Sequence, residues 1–382
     1  MKAKKCLLFL SFVALALVSV SAKEEPVRLY RFTENGLQGY MDCTGKTVIP
    51  ARWPKADNFC DGLAAVKEDG LWGFIDTKGH YVIKPQYEQT YGFSEGLAAV
   101  LDTGSFQWGF IDKQGRWAIA PVWYDAFDFV DGLAPVAVKM KVEASDDDYY
   151  EYYGLYGYID KAGKLVVEPQ FDYASPFSDG MAMVKKDDKW GYIDTKGQLV
   201  IEPQFGYASD FTEGLASVTR GKYITDPWIY INKKGEQAIP REFHMTGYFS
   251  EGLAAVHAPD LGDREVYIDA KGNVVLRGDF SQALSFSEGL APVNVGYKWG
   301  YINKKGKLVV EAEFDEADPF VGGIARVYRY TDDDNAIRGY IDKKGRWVRS
   351  WPSDEWEDVY GDEPYDYYME EEFYDVEEPA QE

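Results

Sequence analysis

The sequence predicts an all-β protein: tandem three-stranded antiparallel β-meanders stacked as an open, curved solenoid-like array, with a closed β-propeller as the alternative. Three observations carry this. A phrase built on aromatic-Gly-aromatic-Ile-Asp recurs nine times, its glycine position falling at Gly39, Gly73, Gly109, Gly157, Gly191, Ile229, Val266, Gly300 and Gly339. A second phrase, Phe-x-acid-Gly-Leu-Ala, alternates with it from Phe59 to Phe286 and decays to FVGGIA at Phe320. Between the phrases lie short runs rich in aromatic and β-branched residues, bounded by Gly and polar turn residues, which is strand composition. A fixed period with two alternating phrases is the signature of repeat architecture.

Each word of the repeat has a local job, seen in Lys189-Trp-Gly-Tyr-Ile-Asp-Thr-Lys-Gly-Gln-Leu-Val-Ile201. Leu215-Ala-Ser-Val218 and its counterparts form the first strand, and Trp190 to Asp194 the second. Alternate side chains share a face, so Trp190 and Tyr192 lie together and Ile193 points away. Gly191 leaves room for close approach of a backbone or ring. Asp194-Thr-Lys-Gly197 is a turn, with Asp at the first position and Gly supplying positive φ at the fourth. The same pattern recurs at Asp76-Gly79, Asp112-Gly115, Asp160-Gly163, Asp269-Gly272 and Asp342-Gly345. Gln198 to Ile201 is the third strand, which Pro203 is expected to end because it offers no N–H. One meander cannot offset its own conformational entropy, so the units must stack.

These phrases, KWGYIDTKGQLVIEPQF with FTEGLASV, resemble the WG-repeat proteins over about residues 27–350. The resemblance implies a repeat or binding module and carries no common reaction or cofactor. The aromatic before the repeated glycine is polar in the first and last copies, Gln38 and Arg338, as capping units of an open stack require. Glu265 is an internal exception.

Three regions follow. Residues 1–22 read as an export signal, with Lys2, Lys4 and Lys5, an apolar run from Cys6 to Val18, and Val20-Ser-Ala22 at the cleavage site. Residues 23–350 hold the array. Residues 351–382 form an acidic, aromatic-rich tail expected to be disordered alone. The product is expected to be periplasmic or extracellular, with no membrane insertion, because no later run of about 20 apolar residues exists. The chain carries −23, and −26 without the three signal lysines. From Ser350 onward there are 14 acidic residues and no basic one. Such a surface repels phosphate backbones, which disfavours nucleic acid as a partner.

Candidate chemistry is sparse. Cys43 and Cys60 are a possible disulfide, the alternative being two buried thiols. His80, His244 and His257 occupy different repeat positions without metal-ligand spacing. The repeated Asp residues are explained by turns, so no catalytic residue, cofactor or metal site is assigned. Asp146-Asp-Asp148 and Asp332-Asp-Asp334 lack a complete calcium-loop spacing. Trp72, Trp108, Trp190 and Trp299 recur in register and are expected in the core. Trp123, Tyr149 and Tyr150 fall outside it and are the candidates for contact. The expected function is binding of another protein, with an envelope glycan as the runner-up, or an enzyme with an unrecognised site.

Overall fold

The computed structural model describes residues 28–141, 152–331 and 336–353. The expected signal, the insert with Asp146–Asp148, Tyr149 and Tyr150, Asp332–Asp334, and the tail beyond Ser353 lie outside them. The described chain forms small antiparallel sheets whose strands follow sequence order. There are nine units. Units two and three share a seven-stranded sheet because one strand, Tyr81–Ser94, runs from the edge of one into the start of the next.

Unit five shows the plan. Its strands are Tyr173–Ala174, Met181–Lys186, Lys189–Asp194 and Leu199–Phe205, each paired to the next. The expected three-stranded meander therefore gains a fourth, two-residue strand. It is formed by Tyr173 and Ala174 pairing with Lys185 and Val184, too short to register as a periodic pattern. The middle strands bury residues on both faces, whereas Leu199–Phe205 alternates, with Ile201 and Phe205 inward and Val200 and Glu202 exposed. That last strand is the outer edge of the unit.

The expected turn is present. Asp194 Oδ1 accepts the N–H groups of Lys196 and Gln198, both at 2.9 Å, and Gly197 sits at φ 74°. Pro203 does not end the strand. Pairing passes from Tyr192↔Ile201 to Trp190↔Phe205 across a bulge, and Pro203 lies in the bulge, where no ladder N–H is needed. The same bulge brings backbone against Gly191, where a Cβ would fall 2.5 Å from the Ile201 oxygen and 2.7 Å from the Pro203 nitrogen. Units six and seven carry Ile229 and Val266 at this position, and their outer strands differ accordingly. In unit six it shrinks to two isolated bridges, Trp228↔Phe243 and Ile231↔Gln237, and in unit seven to Val274–Arg277.

Neighbouring units share a core. Between units eight and nine, Leu290, Tyr301, Val310 and Phe314 meet Ala317, Phe320, Ala325, Val327 and Ile341. The same interface joins unit nine to unit one: Ile324 and Tyr340, with Val348 and Trp351, meet Tyr30, Phe32 and Met41. Unit one has no described short strand to contribute, and Tyr30 and Phe32 stand where Ala325 and Val327 stand in unit nine. With Met41 they form the buried unit-one side of this interface. Three polar ties accompany it. Tyr30 Oη donates to the Val321 and Gly322 carbonyls at 3.0 Å, Arg349 Nη1 donates to Thr47 Oγ1 at 2.7 Å, and the Arg349 guanidinium lies 3.4 Å from the Phe32 ring centre. The turn glycine Gly45 also abuts the last strand, at the Val348 carbonyl, one residue before the position that Gly197 meets in Val167.

The ends are therefore joined, and the arrangement is the ring held as the alternative rather than the open array. Gln38 is not an end cap. Its Oε1 accepts the Ala56 N–H at 2.6 Å, and Glu265 does the same for Ala283 at 2.6 Å, each 18 residues ahead. Arg338 instead lies over the Tyr328 ring at 5.6 Å. Gln38 and Glu265 thus serve junctions between units, whereas Arg338 contacts its cross-strand partner within unit nine. The last strand, Trp347–Ser353, also runs three residues beyond the expected end of the array.

Candidate interaction surface

A sequential meander places its loops on two opposite faces. One face carries the Asp-x-x-Gly turns and the acid-Gly links of the second phrase, which we call the turn face. The other carries the hairpins between the two middle strands, the tip face.

On the turn face the acid-Gly pair is a two-residue hairpin. Asp179 and Gly180 have φ of 49° and 73°, closed by the Ser178↔Met181 bridge, which is the type I′ geometry that Asp-Gly favours. The acid also reaches forward. Asp179 Oδ2 accepts the Gly214 N–H of the next unit at 2.6 Å, and Glu95 and Glu213 do likewise with Gly132 and Gly252. At five junctions a lysine from the next unit's Asp-x-x-Gly or Asn-x-x-Gly turn joins the acid: Lys113 with Asp61, Lys161 with Glu95, Lys233 with Asp179, Lys304 with Glu251 and Lys343 with Glu288. Partial burial opposes charge on Asp179, Glu251 and Glu288, but the lysine and glycine bonds outweigh it and hold all three below the usual carboxylate range. Unit nine has Gly322 where the acid belongs, and the Tyr30 hydroxyl occupies that place, which accounts for the decayed FVGGIA phrase.

Behind these hairpins, Asp128 and Asp210 occupy the same repeat position, just before the phenylalanine. Each has a buried Oδ1 with no hydrogen-bond partner, and burial pushes their pKa values up to about 7 and about 6. Burial also raises Glu265 to about 7, against the Ala283 N–H bond.

The tip face carries the four most exposed aromatic rings among the described residues: Tyr297 at 94%, Phe106 at 68%, Tyr223 at 64% and Tyr330 at 53%. Phe106 and Tyr297 adopt φ of 51° and 70°, a left-handed backbone that bulky side chains avoid. Corresponding tips use Asn35-Gly36 and Asp69-Gly70. Three irregular segments attach here. Residues 142–151 connect Leu133–Lys141 to Tyr152–Asp160, and residues 332–335 connect Ile324–Tyr330 to Ala336–Asp342. The tail follows Ser353, which pairs with Ala336 beside the same tip.

The other expected residues fall as follows. Trp72 and Trp108 are buried, while Trp190 and Trp299 are half-buried beside the cores of their junctions. Trp123 is not a contact residue. It is 9% exposed and pairs with Trp108, in the register of Phe171 and Phe205, so it ends its outer strand as they do. Cys43 and Cys60 are both exposed and free, so neither the disulfide nor the pair of buried thiols is present. Cys43 lies in the turn that meets unit nine and Cys60 in the hairpin that faces unit three, two different junctions. His80 lies 3.5 Å from Asp76, and His244 and His257 face each other at 5.5 Å. Among the described residues no group of three or more His, Cys, Asp or Glu is placed to hold a metal, and no helix is long and apolar enough to cross a membrane.

Tandem four-stranded sheets sharing cores define a β-repeat scaffold. A sequence model described as WG containing repeat matches eight times, at residues 39–72, 72–104, 108–139, 156–190, 190–223, 228–256, 267–299 and 299–328, and the chain belongs to this family. Each match runs from one aromatic-Gly phrase toward the next, so nine phrases bound eight matches. A comparison with curated proteins found no match. Among solved structures, Kluyveromyces lactis Hsv2 is 10% identical, with a TM-score of 0.29, and the match covers 71% of this chain and 91% of that one. A protein of unknown function from Bacteroides caccae is 14% identical with a TM-score of 0.24, covering 54% and 88%.

Proposed function

We propose that this β-repeat protein is an exported, non-catalytic scaffold that binds another macromolecule, a protein, through its tip face. The observation that supports this reading is Tyr297. Its ring is almost wholly exposed on a backbone conformation that glycine or asparagine adopts at lower cost, so neither packing nor turn chemistry explains it. Exposed aromatic rings contribute large contact area at small entropy cost, as anchors at protein interfaces do. A ring lets several tips touch one partner, and the insert and tail join at the same face.

Export rests on the leading 22 residues and is tested by fractionation of the native host. The binding test compares the intact protein with a variant carrying Phe106→Ala, Tyr223→Ala, Tyr297→Ala and Tyr330→Ala. The expected result is capture of a specific envelope protein by the first and not by the second, with unchanged melting. Equal capture by both contradicts the assignment of the tip face. The same four rings suit stacking on sugar faces, and retention on peptidoglycan or polysaccharide that free sugar abolishes favours the glycan reading instead.

A further inference from the structure

The turn face contains a binding position that the chain fills for itself at some junctions and leaves open at others. In the filled positions the lysine ammonium bridges two oxygens of one acidic residue, its carboxylate and its own main-chain carbonyl. Lys161 Nζ lies 2.9 Å from Glu95 Oε2 and 2.9 Å from Glu95 O. Lys304 reaches Glu251 at 3.1 and 2.9 Å, and Lys343 reaches Glu288 at 3.0 and 2.9 Å. Lys233 holds Asp179 Oδ1 at 2.9 Å together with the Asp179 carbonyl, and Lys113 makes the same pair of contacts to Asp61. The left-handed φ of these acids, between 49° and 56°, turns carbonyl and carboxylate toward one another.

Asp131, in unit four, has the same conformation, φ 54°. The residue of unit five that should reach it, second in the Asp194-Gly197 turn, is Thr195 rather than lysine. No described residue takes the ammonium position. In its place is an open cleft of about 660 Å³ lined by Val130, Asp131, Asp179, Gly180 and Thr195. Asp179 is already committed to Lys233, so the open carboxylate is that of Asp131. Glu213, faced by Ala270, repeats the condition at the junction of units six and seven.

We infer that the Asp131 cleft is a socket for a lysine side chain presented by a partner protein. Five copies of the site in the same molecule show what it accepts: a primary ammonium on an extended aliphatic stem, entering between a carboxylate and a carbonyl. Val130 offers apolar surface for the methylenes. An arginine fits less well, because its planar fork takes a carboxylate through both oxygens and leaves the carbonyl aside. An exposed ion pair is individually weak, so the socket fixes the register of a larger interface and does not hold a partner alone. The site lies on the opposite face from the tip aromatics and stands whether or not those bind.

The test uses the intact protein and amide shifts of Gly180 and Thr195, with Nα-acetyl-lysine-N-methylamide as probe and the norleucine and arginine analogues as controls. The expected result is a response that grows with lysine-probe concentration without saturating, absent with norleucine and smaller with arginine. Thr195→Lys supplies the ammonium internally and should weaken the Gly180 response about fivefold, the worth of one exposed ion pair. The reverse variant, Lys304→Thr, should create a new response at Gly289. Because both changes exchange residues that sister units already use, folding is preserved, which the melting curve checks. The inference is overturned by an absent lysine response in the native protein. It is also overturned by a Gly180 response indifferent to Thr195→Lys, or by no new response in Lys304→Thr.

Discussion

Gly191 is where a single atom decides the form of a unit. The outer strand bulges onto it so closely that a Cβ would overlap the Ile201 carbonyl, and the units with Ile229 and Val266 have lost or shortened that strand. Gly191→Val should therefore cost about 2 kcal/mol or more and release pairing of Leu199–Phe205. Urea unfolding with amide exchange reads both, and an unchanged midpoint contradicts the close-approach account. Asp128 and Asp210 are the residue-scale counterpart in electrostatics. Their folded pKa values lie above the unfolded one, so the folded state binds the extra proton. Their stabilising contribution is complete below about pH 4 and is lost as pH rises through about 6 to 7. The turn carboxylates run the other way. Asp42, bonded by Thr44, and Asp269, bonded by Asn273, are depressed, and their contribution is lost as pH falls below the ordinary carboxylate range. Stability should peak in mildly acidic solution, not at neutrality. Asp128→Asn should gain on the order of 2 kcal/mol at pH 7.5, shrinking toward pH 4. A gain independent of pH contradicts the buried-charge reading.

At the scale of the element, units are bound by a repeated tie. Tyr158, Tyr192, Tyr230, Tyr267 and Tyr301 each donate a hydroxyl to the carbonyl 17 residues ahead, in the next unit. Tyr192→Phe should cost about 1 kcal/mol by leaving the Ser209 carbonyl without that donor. Denaturant melts measure it, and a neutral effect would show the tie to be incidental. This tie was within reach of sequence, since Tyr192 and Ser209 keep a fixed offset, but a main-chain acceptor leaves no mark on residue identity. What was legible followed local chemistry: the Asp-x-x-Gly turn, the alternating strands and the need for close approach at Gly191. Pro203 misled because a bulge removes the demand for its missing N–H. Trp123 misled because its register with Phe171 and Phe205 is visible only when the ends of the outer strands are aligned. The acid-Gly hairpin was written in the Asp-Gly and Glu-Gly dipeptides. The exposed tips were marked only by Phe106, Tyr223, Tyr297 and Tyr330 standing where turns usually place small polar residues.

At the scale of the whole molecule, ring or open array was the question that local patterns answer least well, because the deciding contacts join residues almost the full chain apart. Gln38 and Arg338 looked like caps, yet Gln38 does the same work as the internal Glu265. The informative residues were Tyr30 and Phe32, oversized for their repeat positions, and Gly322, whose missing carboxylate leaves room for the Tyr30 hydroxyl. A ring has no free end to fray, so opening one junction should expose both of its neighbours. Tyr30→Ala should speed amide exchange in Leu37–Met41 and Trp347–Ser353 together, while Lys189–Asp194 keeps its protection. Acceleration in the first unit alone contradicts the shared interface.

Ring closure is tested most directly by a distance measured between spin labels at Thr47→Cys and Arg349→Cys, in a protein whose Cys43 and Cys60 are replaced by serine. The account predicts one narrow, short distance set by the label tethers, because these side chains touch at 2.7 Å. Sheets packed about 10 Å apart would put the ends of an open nine-unit stack on the order of 80 Å from each other. A long or broad distribution would contradict the ring.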